Sequence, residues 1–496
     1  MPDELILALD QSTSGSKAMV VDKTGKILSS IRKAHKQYYP RPGWVEHDPD
    51  EIYRNVVEVL REAVIAAKAD PDAIKVLSLT NQRETVLLWD RKTGKPVYPA
   101  IVWQCRRTSD ICRDIKEQDL EAIISDKTGL PLDPYFSSTK IKWILDNVEG
   151  ALGRSRQGEL MMGTIDSWLV WKLTGDMVHV TDFTNASRTM LYNIKTLEWD
   201  KQLLDIFGID HSMLPEVKSS DEIFGSTKKG IIFDMEIPIS GVIGDSQGAL
   251  FGQNCFEPGM IKATYGTGTS VMMYTGKQFV KAEKGLAVSI AWGRAGMVEY
   301  ALEGIIISTG DTLNWLKDNL GIIEDFDQVD AMAKNLTDNE SVYLVPAFAG
   351  MGVPYWDMEA RAAVLGLSRK SNKDNLVRAA LESTAYQVMD AVELMKKGSG
   401  IKPIRLNADG GLTLSSFMMQ FQADILGFKV VTTEVSDLSL MGSVYFAGLA
   451  VGIWENTEQI KSLRKGDNIF TPKMNKDLKK KYYNGWKAAV KKVLTI

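Results

Sequence analysis

A strand–turn–strand unit that occurs twice constrains this chain more than any other feature. Leu5 to Asp10 is an apolar run, Gln11-Ser-Thr-Ser-Gly-Ser a small polar turn, and Lys17 to Asp22 a second run with apolar Ala18, Met19, Val20 and Val21. The pattern returns as Met260 to Thr264, Tyr265-Gly-Thr-Gly-Thr-Ser and Val271 to Tyr274. Each reads as a β-hairpin tipped with hydroxyls and glycine. Such residues favour any turn. Two hairpins in corresponding positions, the first with Asp10 at its strand end, instead suggest two equivalent α/β domains, 1–250 and 251–496, facing each other across a cleft. Tips rich in backbone N–H groups and hydroxyls bind anions. Thr13, Ser14 and Gly15 in the first, and Gly266 and Thr267 in the second, are therefore candidate contacts to a nucleotide's phosphates.

Composition fits that picture. A chain of 496 residues exceeds one ordinary core. With a formal net charge of −4 it carries no basic excess to track a nucleic-acid backbone. The one basic stretch, Lys473 to Lys492, interleaves Tyr482, Tyr483 and Trp486 and reads as an amphipathic terminal helix. Three scattered cysteines suit a reducing cytoplasm rather than a disulfide framework. Met1-Pro-Asp-Glu leads straight into a strand without a secretory signal. The longest apolar stretch, Val444 to Trp454, is too short to span a bilayer. A soluble cytoplasmic protein with no membrane partner is expected.

The common nucleotide motifs are missing. There is no GxxxxGK followed by Ser or Thr, and Gly266-Thr-Gly lacks the third glycine of a dinucleotide fingerprint. Nor is there an HRD or DFG set. Several other segments, however, occur together in one register: Leu9-Asp-Gln-Ser-Thr, Gly43-Trp-Val-Glu-His-Asp-Pro, Asn81-Gln-Arg-Glu-Thr, Ile101-Val-Trp-Gln, Tyr135-Phe-Ser-Ser-Thr-Lys-Ile-Lys-Trp, Asp182-Phe-Thr-Asn-Ala-Ser-Arg, Gly244-Asp245, Tyr265-Gly-Thr-Gly, Ala362 to Glu382 and Asp409-Gly-Gly. On these residues the chain resembles the FGGY carbohydrate kinases along essentially its whole length, glycerol kinases most closely.

The resemblance implies a duplicated actin-like, ribonuclease-H-like ATPase fold and transfer of phosphate from ATP to a small polyol. It makes Asp245 the base that accepts the substrate proton, although a strand-end Asp before a helix is also a common N-cap. Asp10, otherwise a turn-capping residue, would hold Mg²⁺ through water together with Asp245. Arg83 and Glu84, taken as strand neighbours pointing to opposite faces, would bind substrate hydroxyls, with Trp103 and Tyr135 lining the pocket. Lys17 stands where glycerol kinases have arginine and would meet a phosphate as a point charge. Gly310, Gly410 and Gly411, with Asn314 and Ser415, would complete the nucleotide site.

Two positions depart from the glycerol kinase pattern. Ser246 follows the base where glutamine is usual, and Ser270 replaces a phenylalanine that packs on glycerol carbons. Less bulk and added hydroxyls suggest a longer polyol such as erythritol, threitol or xylitol, or a ketose such as xylulose. An actin-like ATPase switch is the alternative outside metabolism. Asp234 and Glu236 stand where some bacterial members present Gly and Arg to fructose 1,6-bisphosphate, and two carboxylates repel that anion. No control by this ligand or by histidine phosphorylation is expected. Family members commonly form homodimers or homotetramers.

Overall fold

The computed structural model describes residues 4–435, 437–464 and 466–495. Met1, Pro2 and Asp3, at the expected entry to the first strand, lie outside the described residues. Two compact units make up the chain, and no single cut separates them. The first comprises Met1–Asn254, Ser289–Tyr300 and Asp437–Arg464; the second comprises Cys255–Val288, Ala301–Ser436 and Lys465–Ile496.

The first unit is built on a sheet that starts with the expected hairpin. Strands β1 (Leu5–Ser12) and β2 (Gly15–Asp22) pair antiparallel, and β3 (Ile27–Ala34) continues the meander. The tip is tighter than the sequence suggests. Gln11 pairs with Ser16 and Ser12 with Gly15, so only Thr13 and Ser14 remain as loop. Glycine is required at 15, since a Cβ there would sit 2.5 Å from the Lys33 carbonyl oxygen. Strands β4 (Ile74–Asn81) and β5 (Ile239–Gly244) extend the sheet in the order β5-β4-β1-β2-β3, parallel to β1. β4 and β5 are buried nearly throughout, as parallel central strands are, whereas β3 alternates half-buried and exposed residues.

Helix α1 (Pro49–Ala66) begins with Pro49 behind the Asp48 cap, whose carboxylate accepts the Asp50 N–H at 2.9 Å. Its Ile52, Val56, Val59, Leu60 and Ala63 form one helical stripe, packed in a core cluster with Leu7, Leu9, Val20 and Leu79. Helix α2 (Ser137–Asn147) follows the Tyr135 segment, and α3 (Asp245–Gly252) leaves the end of β5 directly. α3 packs on the helix Leu438–Ala450, backbone against backbone. A Cβ on Gly442 would lie 1.9 Å from the Gly248 carbonyl oxygen, and one on Gly252 would lie 2.1 Å from that of Leu438.

The second unit repeats the opening device. Strands β6 (Met260–Tyr265) and β7 (Thr269–Gly276) form a hairpin tipped by Gly266-Thr267-Gly268. Strand β8 (Arg405–Gly410) pairs parallel to β6, β9 (Lys429–Thr432) parallel to β8, and β10 (Asn468–Phe470) antiparallel to β9. Around this sheet lie α4 (Gly310–Asp318), α5 (Val329–Lys334), α6 (Lys373–Ser399), α7 (Ser416–Leu426) and α8 (Lys476–Lys491).

α8 is the basic terminal helix the sequence announces. Its Tyr482 and Trp486 are buried, and Trp486 stacks on Tyr386 of α6 with ring centroids 5.3 Å apart. Trp486 Nε1 also donates to Asp390 at 2.8 Å, joined by the hydroxyls of Tyr483 at 2.6 Å and Tyr355 at 3.1 Å. Burial pushes the Asp390 carboxyl up to about 6 despite these donors. A carboxyl raised in the folded state binds more protons there than in the unfolded chain. Its stabilising contribution is therefore complete below pH 4 and is lost as pH rises to about 6. Asp390→Asn should flatten the fall in stability across that window, by up to roughly 3 kcal/mol, as measured by urea unfolding at a series of pH values.

Among the described residues, no helix is long and apolar enough to cross a membrane. Cys105, Cys112 and Cys255 are buried and none forms a disulfide.

Candidate active site

Parallel register places the key residues of the first unit at one end of its sheet. Asp10 lies beside Thr80, and Gly244 beside Asn81, so β1, β4 and β5 finish together. Asp245 begins α3 at that edge. It is the first helical residue and not the cap, and its Oδ1 accepts the adjacent Ser246 N–H at 2.6 Å. The same oxygen lies 3.1 Å from Arg83 Nε, with the Asp245 side chain 40% exposed and that of Arg83 only 5%. Arg83 is held in turn by Gln247 Oε1 at 3.2 Å. An accessible carboxylate is thus oriented by a buried guanidinium.

Arg83 and Glu84 do not lie on a strand, which corrects the expectation of opposite faces. β4 stops at Asn81, and the Thr85 N–H donates to the Arg83 carbonyl at 2.7 Å around Glu84, whose φ is +62°. This three-residue γ-turn is rare for a non-glycine residue. It brings the two charges together, with Arg83 Nε 4.0 Å from Glu84 Oε1. Arg188 Nε donates to the same oxygen at 2.5 Å, while Arg188 Nη1 donates to Ser289 Oγ at 2.9 Å.

The segment that supplies Arg188 also locks the strand ends. The side-chain amides of Asn185 and Asn81 exchange hydrogen bonds at 3.0 and 3.1 Å. Thr184 Oγ1 accepts the Gly244 N–H at 2.8 Å. A wall of the site is aromatic, with Trp103 and Tyr135 centroids 5.3 Å apart. Lys140, which sequence reasoning quoted but gave no task, is fully buried and donates to the carbonyls of Pro134, Tyr135 and Phe136 at 2.6, 2.6 and 2.9 Å. It fixes the segment that carries Tyr135, and burial lowers its ammonium to about 7.

The first hairpin tip belongs to this neighbourhood. Thr13 Oγ1 accepts Trp103 Nε1 at 2.9 Å, and Ser14 Oγ accepts Arg32 Nη2 at 2.8 Å. Lys17 Nζ is paired with Asp437 Oδ1 at 2.5 Å. Burial raises Asp10 to about 7, helped by repulsion from Asp245 and Asp437 and opposed by Lys17 and Arg32. A divalent cation would relieve that crowding of carboxylates. Among the described residues no three His, Cys, Asp or Glu side chains form a ready metal cage, but Mg²⁺ needs only one or two carboxylates beside phosphates and water. The residues fit such an ion.

The second unit contains a cavity of about 610 Å³ lined by Gly266, Thr267, Gly310, Asn314, Gly411 and Ser415. Six of the predicted nucleotide contacts are therefore gathered in one place. Glycine at 310 allows α4 to dock on the hairpin tip, since a Cβ would sit 2.5 Å from the Gly266 carbonyl oxygen. The Gly310 N–H donates to that oxygen at 3.1 Å. Gly410 supports the cavity without lining it. Its φ is +93°, and a Cβ there would meet the Tyr265 carbonyl oxygen at 2.1 Å.

Asp330, Leu381 and Leu414 also line the cavity and were missed from the sequence. Asp330 reaches Ser415 across 85 residues and so has no local signature. Ser270 belongs to the second unit, where its hydroxyl accepts Lys262 Nζ at 3.1 Å and faces Glu303 Oε1 at 3.4 Å. Arg83, Glu84, Trp103, Tyr135, Asp245 and Ser246 are all in the first.

Comparison with known proteins agrees along the chain. Residues 5–252 match the model of the FGGY family of carbohydrate kinases, N-terminal domain, and residues 261–451 that of its C-terminal domain. Glycerol kinase 2 of Thermotoga maritima is 50% identical over 489 residues, 99% of this chain and 98% of that protein. Glycerol kinase of Carboxydothermus hydrogenoformans is 51% identical over 490 residues, with the same shares covered. The crystal structure of Plasmodium falciparum glycerol kinase with ADP superposes with a TM-score of 0.95 at 36% identity, covering 99% of this chain and 98% of that one. A Lactobacillus acidophilus xylulose kinase, 22% identical with a TM-score of 0.89 over 98% of this chain and 97% of that one, shares the fold. The duplicated actin-like fold, the full-length match and the two family domains lead to one conclusion: the chain belongs to the FGGY family of carbohydrate kinases and is an ATP-dependent phosphotransferase acting on an alcohol group.

Proposed function

We propose that the chain phosphorylates glycerol with ATP and that Asp245 is the general base. The observation that carries this reading is the half-exposed Asp245 carboxylate, held 3.1 Å from buried Arg83 beside the strained turn at Glu84. An attacking hydroxyl gives its proton to Asp245 as its oxygen bonds to the γ-phosphorus and ADP departs. Arg83 donates to one substrate hydroxyl and Glu84 accepts from another, while Trp103 and Tyr135 pack on the carbons and exclude water. Arg83, bonded to Gln247 as well as to Asp245, holds the carboxylate in place through the reaction.

Asp10 and Asp245 would hold Mg²⁺, which when bound neutralises charge on the transferring phosphoryl group. On the nucleotide side, Gly266, Thr267 and Gly310 serve the phosphates, and Asn314, Gly411 and Ser415 the base. Gly410 keeps the strand end close to Tyr265. Thr13, Ser14 and Gly15 contact the transferring phosphate from the first hairpin. Lys17 keeps Asp437 and reaches a phosphate as well, since an ammonium has three donors. The reduced cysteines suit a cytoplasmic enzyme.

Half of all positions matching glycerol kinases across nearly the full chain favours glycerol over erythritol, threitol, xylitol or xylulose. The polyol wall of Trp103 and Tyr135 weighs against an ATPase switch, which needs none. The short polar side chains at Ser246 and Ser270 leave that preference unchanged. Rates of ADP formation with each of these polyols test this. Turnover should require a polyol, and glycerol should give the highest kcat/KM. A longer alditol outperforming glycerol would overturn the substrate assignment, and polyol-independent turnover the kinase mechanism.

A further inference from the structure

Asp182 ends the short strand Val180–Asp182 and caps the single-turn helix Phe183–Ala186. Its Oδ2 accepts the Thr184 N–H at 3.0 Å and its Oδ1 the Asn185 N–H at 2.9 Å. Capping asks for no more than these two bonds. Yet the side chain is fully buried and accepts three further donors: Thr184 Oγ1 at 2.7 Å, Asn185 Nδ2 at 2.9 Å and Ser220 Oγ at 2.9 Å. Burial raises this carboxyl, and the donors from Asn185 and Thr184 oppose the rise.

Two of the extra donors lead to the candidate active site. Thr184 Oγ1 accepts the Gly244 N–H at 2.8 Å, which commits its single proton to Asp182. Gly244 is the last residue of β5, and Asp245 follows it. Carboxylate, hydroxyl and N–H thus form a chain that pins the backbone directly before Asp245. The second branch runs through Asn185. An asparagine side chain has an accepting oxygen and a donating NH2. Both Asp182 oxygens already accept N–H groups, so only the NH2 of Asn185 can face them. Its Oδ1 is thereby turned to accept Asn81 Nδ2 at 3.0 Å. Asn81 Nδ2 also donates to the Gln82 carbonyl at 2.9 Å, one residue before Arg83.

We propose that Asp182 is a positioning residue for phosphoryl transfer. By committing the Thr184 proton it aims the Asp245 carboxylate, and by orienting the Asn185 amide it steadies the turn that carries Arg83 and Glu84. The inference rests on Asp245 being the general base.

The test is a set of kcat and KM values for glycerol, each with a thermal melt. Thr184→Val keeps the shape of the side chain and removes the hydroxyl, whereas Thr184→Ser keeps the hydroxyl and removes a methyl. A packing role would place the valine variant nearer the wild type; the positioning role places the serine variant nearer. Thr184→Val should lower kcat by roughly 10- to 100-fold with little change in KM, the signature of a displaced catalytic group. Thr184→Ser should restore most of that rate. Asn185→Ala reaches the turn and should act mainly on KM, raising it by roughly tenfold. Asp182→Asn sets an NH2 against a backbone N–H whichever way its amide turns, so it should harm both constants. If that variant does not fold, the Thr184 pair decides alone.

Adding Thr184→Val to Asp245→Asn separates the inference from the reading beneath it. Once the base is gone its placement no longer matters, so the second substitution should cost no further rate. A further loss of the same size would mean that Thr184 acts on the fold at large, and would overturn the inference. So would a valine variant faster than the serine variant, or wild-type kinetics for Asp182→Asn. Near-normal kcat for Asp245→Asn alone would instead remove the base itself, and the inference with it.

Discussion

Asp245→Asn should lower kcat by about 10²–10⁴-fold, the usual contribution of a general base, while the protein melts at an unchanged or higher temperature. The substitution is nearly isosteric. An asparagine Oδ1 can still accept from Arg83 Nε and from the Ser246 N–H, now at 3.1 and 2.6 Å. What it cannot do is take a proton. It also removes a negative charge that repels Asp10, while buried Arg83 keeps Glu84 as a charged neighbour. A coupled assay for ADP, run beside a thermal melt, distinguishes the outcomes. Loss of activity together with loss of structure would mean that Asp245 is a structural residue, and near-normal kcat would remove it from the mechanism.

Gly442→Ala should be the most damaging conservative change in the helices behind the site. The new Cβ would lie 1.9 Å from the Gly248 carbonyl oxygen and 2.6 Å from its carbonyl carbon. Both are backbone atoms, so no rotamer change relieves the clash, and the two helices must separate. A loss near the upper end of the 1–3 kcal/mol typical of overpacking follows. The effect should reach catalysis, because α3 carries Asp245 at its first position. Gly153→Ala, in the helix Ala151–Arg156 where a Cβ meets nothing within 4 Å, is the control and should be neutral or slightly stabilising. Equal melting temperatures for the two variants would contradict the close helix contact.

Much of this architecture is legible in the chain because its signals are local. Both hairpins declare themselves through small polar tips between apolar runs. Asp10 lies two residues before the end of β1 and Asp245 directly after β5, and parallel register brings those strand ends together. The glycines at 266, 310 and 411 gather around one cavity as their motifs imply.

What the sequence hides is set by distant partners or by a backbone choice. Lys17 meets Asp437, 420 residues away, and nothing in either segment announces the other. Asp330 looks like half of an ordinary i,i+4 helix pair with Lys334, yet it also anchors the start of α7. Arg83 and Glu84 read as strand residues because apolar positions precede them. Only the left-handed turn at Glu84 shows that alternation has already ended. The strain of that turn is sustained by Arg188 and by Ser137, whose hydroxyl donates to the Glu84 carbonyl at 2.9 Å.

The discontinuity of the first unit bears on how the protein is made. Asp10, Arg83, Glu84 and Asp245 have all been synthesised by residue 245, but the helix Leu438–Ala450 that backs α3 emerges from the ribosome much later. Until then the small-residue face of α3 has no mate, and the nascent chain must wait while most of the second unit is translated. Pairings of such long sequence separation slow folding and leave apolar surface open to chaperones and to aggregation. The stretch that contains Asp245, the proposed base, and its closest partners is therefore completed only when the helix Leu438–Ala450 comes back to it.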